Sequence, residues 1–339
     1  MPREESGVNT GMNIKIVTLV FLLLLALKTG FAFAFGIMPA VSRFAPSIFQ
    51  IEAEEEALLA AKPAAIPEAV PYEQPIPCRA EQVTRALVKA YPRRVLKAEY
   101  RNGDWAVLLR DTWFYYAEGR LLPERLLYRA SEYSPIAFYN YPRELPAWTP
   151  PTPEQIERFR YLDAARHTRR RSHYFFDTLY RAHSHNESYR RVKTIRFLGF
   201  PVTVHYSILE DLSLVEEHIL DAAREDPRIW AWINNISSVS GWAWRDIGGT
   251  QSRSFHSYGA AIDILPRRTG GRAVFWQWAG ENWWNIPFER RYHPPDAVIR
   301  AFESFGFVWG GKWQRFDTMH FEFRPEVLIL NGIEMSTLR

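Results

Sequence analysis

The sequence predicts an α+β protein: a small, mainly antiparallel sheet flanked by helices, with a small β-rich accessory unit ahead of it. Three observations point there. Residues 95–100 and 105–109 are β-prone runs on either side of Asn102-Gly103, the dipeptide that most strongly marks a two-residue hairpin. Leu212, Val215, Ile219, Leu220 and Ala223 recur at helical spacing, which marks an amphipathic helix packed on a sheet. Residues 260–265 and 320–323 alternate apolar and polar side chains, the pattern of strands with one face in the core and one in a cleft.

At 339 residues the chain has material for two domains and a sizeable core. Its 47% apolar and 24% charged residues are those of a globular protein. The aromatic share of 15% is high and favours large packed cores, with clefts for sugars or peptides as the sharper reading. Net charge is only +4, yet Arg166, Arg169, Arg170 and Arg171 are bunched. That run reads as a solvated helix face, or as a surface that docks on anionic polymer. No nucleic-acid-binding motif accompanies it, so nucleic acid is not an expected partner. Cys78 is the only cysteine, which excludes an intrachain disulfide and any cysteine-based zinc finger.

Residues 1–34 read as an export signal: Lys15, an apolar run over 16–27, and Ala32-Phe33-Ala34 as a small-x-small cleavage pattern. The rest of the chain is then expected in the periplasm, the cell envelope or the extracellular space, and an uncleaved signal would serve as a membrane tether. Residues 35–80 shift to Ala, Glu and Pro and read as a tether. The accessory unit spans 81–150, with a helix over 81–90, the hairpin, and a strand over 112–117 that turns at Glu118-Gly119-Arg120. Its Trp105, Trp113, Tyr115 and Tyr116 are read as packing against the next domain rather than as a wall-binding face.

The main domain is placed at 151–335, with its core motifs in 192–327. Thr152 is a candidate N-cap and Pro153 the first residue of a helix reaching about residue 165. A second, basic helix is expected to about residue 183. His183-Ser184-His185 reads as a solvated loop. Two strands broken by Gly199 and Pro201 follow over 192–205, and His205 reads as a hydrogen-bonded core histidine. After the helix at 209–223 the chain leads to RSFHSYGAAID at 253–263. Residues 295–305 are expected to be a helix. Gly306, Gly310 and Gly311 are expected to turn Trp309 and Trp313 toward the mouth of a site. Trp276, Trp278, Trp283 and Trp284 are divided between core and cleft wall, and His293, followed by two prolines, reads as a loop residue.

The chemistry concentrates in two stretches, RSFHSYGAAID and DTMHFEF at 317–323. His256 and Asp263 in the first and His320 in the second offer two nitrogens and one oxygen, a ligand set that suits zinc with one position open. On a strand, His320 and Glu322 share one face while Phe321 and Phe323 share the other. Asp263 on a neighbouring strand, with His256 folded over from a loop turned at Gly259, would bring three ligands together. Asp317 is then close enough to act as a base.

Ser254-x-His256-x-x-Gly259-x-Ala261-x-Asp263 followed by Asp317-x-x-His320 resembles the signature of the zinc D-alanyl-D-alanine carboxypeptidase and dipeptidase family of the VanY and VanX type. That family shares its fold with the Hedgehog signalling domain and phage L-alanyl-D-glutamate endopeptidases, so the resemblance implies a Hedgehog/DD-peptidase-like fold with one zinc per chain. His256, Asp263 and His320 match its zinc ligands and Asp317 its acidic general base. Arg245 matches an upstream arginine that stabilises the oxyanion, with Arg253 competing for the role. Ser254 and Glu322 suit orientation of a ligand imidazole or contact with a substrate amine; for Ser254 a local turn hydrogen bond is the equal alternative.

The implied function is an exported zinc peptidase acting on peptidoglycan stem peptides as a D-alanyl-D-alanine carboxypeptidase. Alternatives are an L,D- or D,L-endopeptidase that lyses cell wall, and a non-catalytic, zinc-containing wall-binding module. A monomer is expected.

Overall fold

The computed structural model describes residues 80–336. The export signal read over 1–34, all but the last residue of the tether read over 35–80, and Cys78 lie outside the described residues.

The first described element is helix α1 (Ala80–Ala90), which buries Val83, Leu87 and Ala90 on one stripe. Strands β1 (Val95–Arg101), β2 (Asp104–Leu109), β3 (Thr112–Tyr115) and β4 (Leu122–Pro123) form an antiparallel sheet in sequence order. The β1–β2 hairpin turns where expected. Asn102 and Gly103 both take positive φ, 49° and 87°, as the two-residue turn that suits strand twist requires. Strand β3 stops two residues short of the expected Ala117, because Ala117 and Glu118 enter the left-handed region at φ 46° and 54°.

Residues 138–152 hold no helix or strand. Helix α2 (Pro153–Ala164) opens with a capping box, in which the Thr152 side chain accepts from the Gln155 backbone and the Gln155 side chain accepts from that of Thr152. The expected second basic helix is absent. A single 3-10 turn at Ala165–Thr168 gives way to extended backbone, followed by the short helices α3 (Tyr174–Tyr180) and α4 (His185–Tyr189). In a continued helix Arg166, Arg169 and Arg170 would stand at i, i+3 and i+4, where like charges repel. Extended, Arg171 forms a parallel bridge with Ser134, and its backbone N–H donates to the Ser252 side chain.

Strands β5 (Val192–Phe197) and β6 (Phe200–His205) form a hairpin, and helix α5 (Leu209–Glu225) buries Leu212, Val215, Ile219 and Ala223. Helix α6 (Pro227–Asn234), capped by Asp226, and strand β7 (Ile236–Ser240) come next; neither was expected as an element. Strand β8 (Ala261–Pro266) carries Asp263, helix α7 (Asp296–Ser304) precedes β9 (Phe307–Trp309), and β10 (His320–Phe323) leads to α8 (Pro325–Leu330). The central sheet is antiparallel in the order β7-β8-β10-β9, with β8 and β10 in the middle.

One hydrophobic core joins both sheets. It runs from Val83, Leu87 and Tyr91 through Phe114 and Phe175 to Ile262, Phe302, Phe321 and Phe323. Tyr91, directly after α1, stands edge-on to Phe323 and donates to Glu326 at 2.7 Å, so the end of α1 is fastened to the C-terminal end of β10, the strand that begins at His320.

Candidate metal centre and cleft

The alternation read in the two motif strands sets the site. In the β8–β10 ladder, Asp263 is the register partner of His320, and Phe321 faces Ile262. Ile262, Ile264, Phe321 and Phe323 go to the core, while Asp263, His320 and Glu322 turn to the opposite face. His256 comes from a 3-10 turn at Phe255–Tyr258 that ends on Gly259 at φ 67°. A Cβ at Gly259 would stand 2.7 Å from the His205 backbone nitrogen, so only glycine lets this turn lie against β6. Ser254 caps the turn by accepting from the His256 N–H at 3.3 Å, the local turn hydrogen bond that was one of its two readings.

Three side-chain atoms converge. His256 Nε2 lies 3.2 Å from His320 Nδ1 and 3.2 Å from Asp263 Oδ2, and His320 Nδ1 lies 2.9 Å from Asp263 Oδ1. Each imidazole is engaged through its other nitrogen. His256 Nδ1 donates to the Gly241 carbonyl at 2.6 Å, and His320 Nε2 donates to Glu322 Oε2 at 3.2 Å. Those two donations direct the lone pairs of His256 Nε2 and His320 Nδ1 into the shared space beside Asp263. Metal-ligating histidines are held in the same way by a carbonyl or carboxylate behind them. The spacing also suits zinc, since ligand atoms about 2.0–2.1 Å from a tetrahedral ion stand about 3.3 Å apart. His256, Asp263 and His320 therefore fit a divalent metal.

The electrostatics favour a cation at this point. Burial would raise the Asp263 carboxyl, but the two imidazoles overcome it and hold Asp263 well below the usual carboxylate range. Burial would lower His320; its bonds to Asp263 and Glu322 instead hold it up at about 10. Asp263 thus stays ionised between the two imidazoles, and Glu322 adds a second carboxylate behind them, so negative charge gathers at this point. Glu322 is itself held by Arg324 at 3.0 Å, and Arg324 also donates to the carbonyl of Ala137, in the segment between the two sheets.

Asp317 lies in the turn before β10, and burial pushes its carboxyl up to about 6; the His320 charge opposes that shift and the Asp263 charge adds to it. Its Oδ1 is buried and has no hydrogen-bond partner among the described residues. A buried acceptor without a partner is costly unless the site supplies one in use.

The centre opens into a cavity of about 450 Å³ whose lining includes Ser254, His256, Asp263, Asp317, His320 and Glu322. Arg245 is exposed and lines it, held beside the motif because the Ser257 side chain accepts from its N–H and donates to its carbonyl. Arg253 does not line the cavity; it pairs with buried Asp177 and lies over Trp244. Of the two competing arginines, only Arg245 faces the cleft. Trp313 lines it, with its ring 5.4 Å from that of His320. Trp309 does not. It is fully buried, donates to the Thr318 carbonyl and sits in strand β9, because residues 307–309 pair with β10 rather than forming a mouth loop. Trp276 lines the cavity while Trp283 and Trp284 pack on Phe159.

Several lining residues went unread in the sequence. Tyr139 is one; its hydroxyl and Trp313 Nε1 are buried donors without a partner among the described residues. Arg158 and Arg315 are others, and Arg166, Arg169 and Arg171, read as a solvated face or a docking surface, line the cavity as well. Nothing in the local pattern of these residues points at the metal site, since they reach it from 80 to 180 residues away or across a loop. Their only signal was the bunching of arginines at 166–171. His183 is exposed, and His185 packs with Tyr189 and Trp242. His293 Nε2 donates to the Phe288 carbonyl at 2.7 Å, and the ring lies against Trp309, away from the cavity.

Residues 248–323 match a family model described as D-alanyl-D-alanine carboxypeptidase. The match contains His256, Asp263, Asp317 and His320 and supports a metallopeptidase, with a peptide as substrate. Residues 83–138 match a model described as a domain of unknown function. No solved structure matches the chain.

Proposed function

We propose that this protein is an exported zinc peptidase that hydrolyses peptidoglycan stem peptides, releasing terminal D-alanine. The observation that carries the reading is the convergence of His256 Nε2, His320 Nδ1 and Asp263 within 3.2 Å of one another, each imidazole backed by its own acceptor. The family match over 248–323 supports the peptidase class. Export rests on the signal pattern over 1–34, and the wall substrate on the motif resemblance.

His256, Asp263 and His320 would hold the ion. Bound zinc supplies a Lewis acid that polarises a scissile carbonyl and lowers the pKa of water. Asp317 Oδ1 accepts the proton lost by the attacking water and returns it to the leaving amine, a contribution of about 10²- to 10⁴-fold. Burial, which lifts the Asp317 pKa to about 6, brings its proton affinity closer to that task. Arg245, exposed on the cleft wall, offsets charge on the carbonyl oxygen as it develops. Glu322 keeps the His320 ring in the orientation and tautomer that leave Nδ1 available. Tyr139 and Trp313, with donors unpartnered among the described residues, offer hydrogen bonds to a bound peptide.

Mass analysis of products from defined muropeptides tests the reading. Free D-alanine from a stem ending in D-Ala-D-Ala supports it. Internal fragments without free D-alanine would move the assignment to an endopeptidase, and wall binding without cleavage in zinc-loaded protein would make the domain a binding module.

A further inference from the structure

The arginine run that the sequence leaves between two readings becomes a wall of the cleft. Arg158, Leu162 and Arg166 stand at i, i+4 and i+8, so one face of α2 and the turn after it lines the cavity. Beyond the turn the backbone is extended and side chains alternate. Arg169 and Arg171 line the cavity, while Arg170 turns away and lies over Tyr133.

This wall is stitched to the loop that leads into the metal motif. Arg166 donates to the Gly248 carbonyl; the Gln251 N–H donates to the Arg169 carbonyl at 2.9 Å; the Gln251 side chain donates to His167; and Ser252 bonds Arg169 and Arg171 at 3.1 and 3.0 Å. A merely solvated charged face needs no such attachment. On the same wall, Arg315 pairs with Asp163 of α2 at 2.7 Å and shares the Trp276 ring with Arg166: the guanidinium carbons lie 5.5 and 4.8 Å from the ring centre. The crowding is felt, since burial first and the Arg315 charge second lower the Arg166 pKa. The carboxylates lining the cavity are Asp263, Asp317 and Glu322, all at the metal centre.

The cleft thus has an acidic floor and an arginine-rich wall. We propose that it selects acidic peptides, with Arg169 and Arg171 binding a carboxylate of the substrate other than its C-terminal one. The inference rests on the reading of the floor as a peptidase site and adds a substrate class to it. Neither arginine lies in the matched segment 248–323.

The test uses two synthetic stem pentapeptides ending in D-Ala-D-Ala, identical except that the glutamate α-carboxylate is free in one and amidated in the other. Binding is measured by calorimetry on the full-length Asp317→Asn protein, so that neither peptide is consumed. The free acid is expected to bind about tenfold or more tightly than the amide, the range of a charge-assisted pair. Arg169→Gln with Arg171→Gln should abolish that difference. Equal affinity of the two peptides for Asp317→Asn protein overturns the proposal, as does a native-melting double variant that still discriminates. The peptide comparison stands without the double variant should that variant not fold. Turnover reports separately: wild-type protein that releases D-alanine from neither peptide contradicts the carboxypeptidase reading, and wild-type protein that cleaves neither peptide at any bond contradicts the peptidase reading, whatever the affinities.

Discussion

Glu322 Oε2 lies 3.2 Å from His320 Nε2, two residues away on the same face of β10, and Arg324 holds the other Glu322 oxygen at 3.0 Å. The carboxylate is thus fixed from behind while it fixes the imidazole in front. Glu322→Gln keeps the volume and removes the charge. It should weaken zinc affinity roughly ten- to hundredfold, as losing such a backing group does elsewhere. Competition with a chromogenic chelator measures this; unchanged affinity would show that His320 needs no such support.

Gly241 supplies the matching acceptor for His256. A Cβ there would collide with the Thr203 carbonyl and stand 2.9 Å from a Val202 methyl, so β6 and the Gly241 backbone would have to part. Gly241→Ala should destabilise the fold by about 1–3 kcal/mol, as overpacking does, and weaken zinc binding with it. Denaturant titration and metal content of the purified variant read the two effects.

Asp317 separates binding from turnover. Asp317→Asn should keep the ion, because Asp317 is not among the three converging ligands, and lower kcat by about 10²- to 10⁴-fold. Full hydrolysis by the variant would remove Asp317 from the mechanism.

His205 gives a stability signature. Burial lowers its pKa from 6.5 to about 4; Nε2 donates to the Tyr180 carbonyl at 3.0 Å and Nδ1 accepts from the Ser207 N–H at 3.1 Å. A histidine held neutral in the fold takes its proton first in the unfolded chain. Its contribution, about 3 kcal/mol by linkage, is present above pH 6.5 and is lost as pH falls toward 4. Asp211, raised by burial to about 6, runs the other way. The measurement is therefore the difference in stability between wild type and His205→Gln across pH 4–7, which should shrink as pH falls. A constant difference would contradict the assignment.

Much of the cluster was legible because its three side chains are brought together by short-range rules. Strand alternation places Asp263 and His320 on one face, and Gly259 permits the turn that brings His256 over them. The hairpin at Asn102-Gly103 and the capping box at Thr152 are equally local. What the pattern did not disclose depends on contacts between distant segments. Trp309 was expected at the mouth because glycines flank it; pairing of residues 307–309 with β10 puts it in the core. The basic run was expected to be helical and is extended, since its backbone bonds go to Ser252 and Gln251 some 80 residues away. Arg245 and Arg253 look alike in sequence and part only through Asp177, which claims Arg253.

The central claim is a hydrolytic zinc site made by His256, Asp263 and His320. Metal analysis of the purified protein, paired with mass detection of D-alanine released from a stem pentapeptide, tests it most directly. One zinc per chain is predicted, with release that stops on chelation, returns on adding zinc, and is absent in His256→Ala, which should also carry no metal. Hydrolysis that persists after complete chelation, or in metal-free His256→Ala, would contradict it.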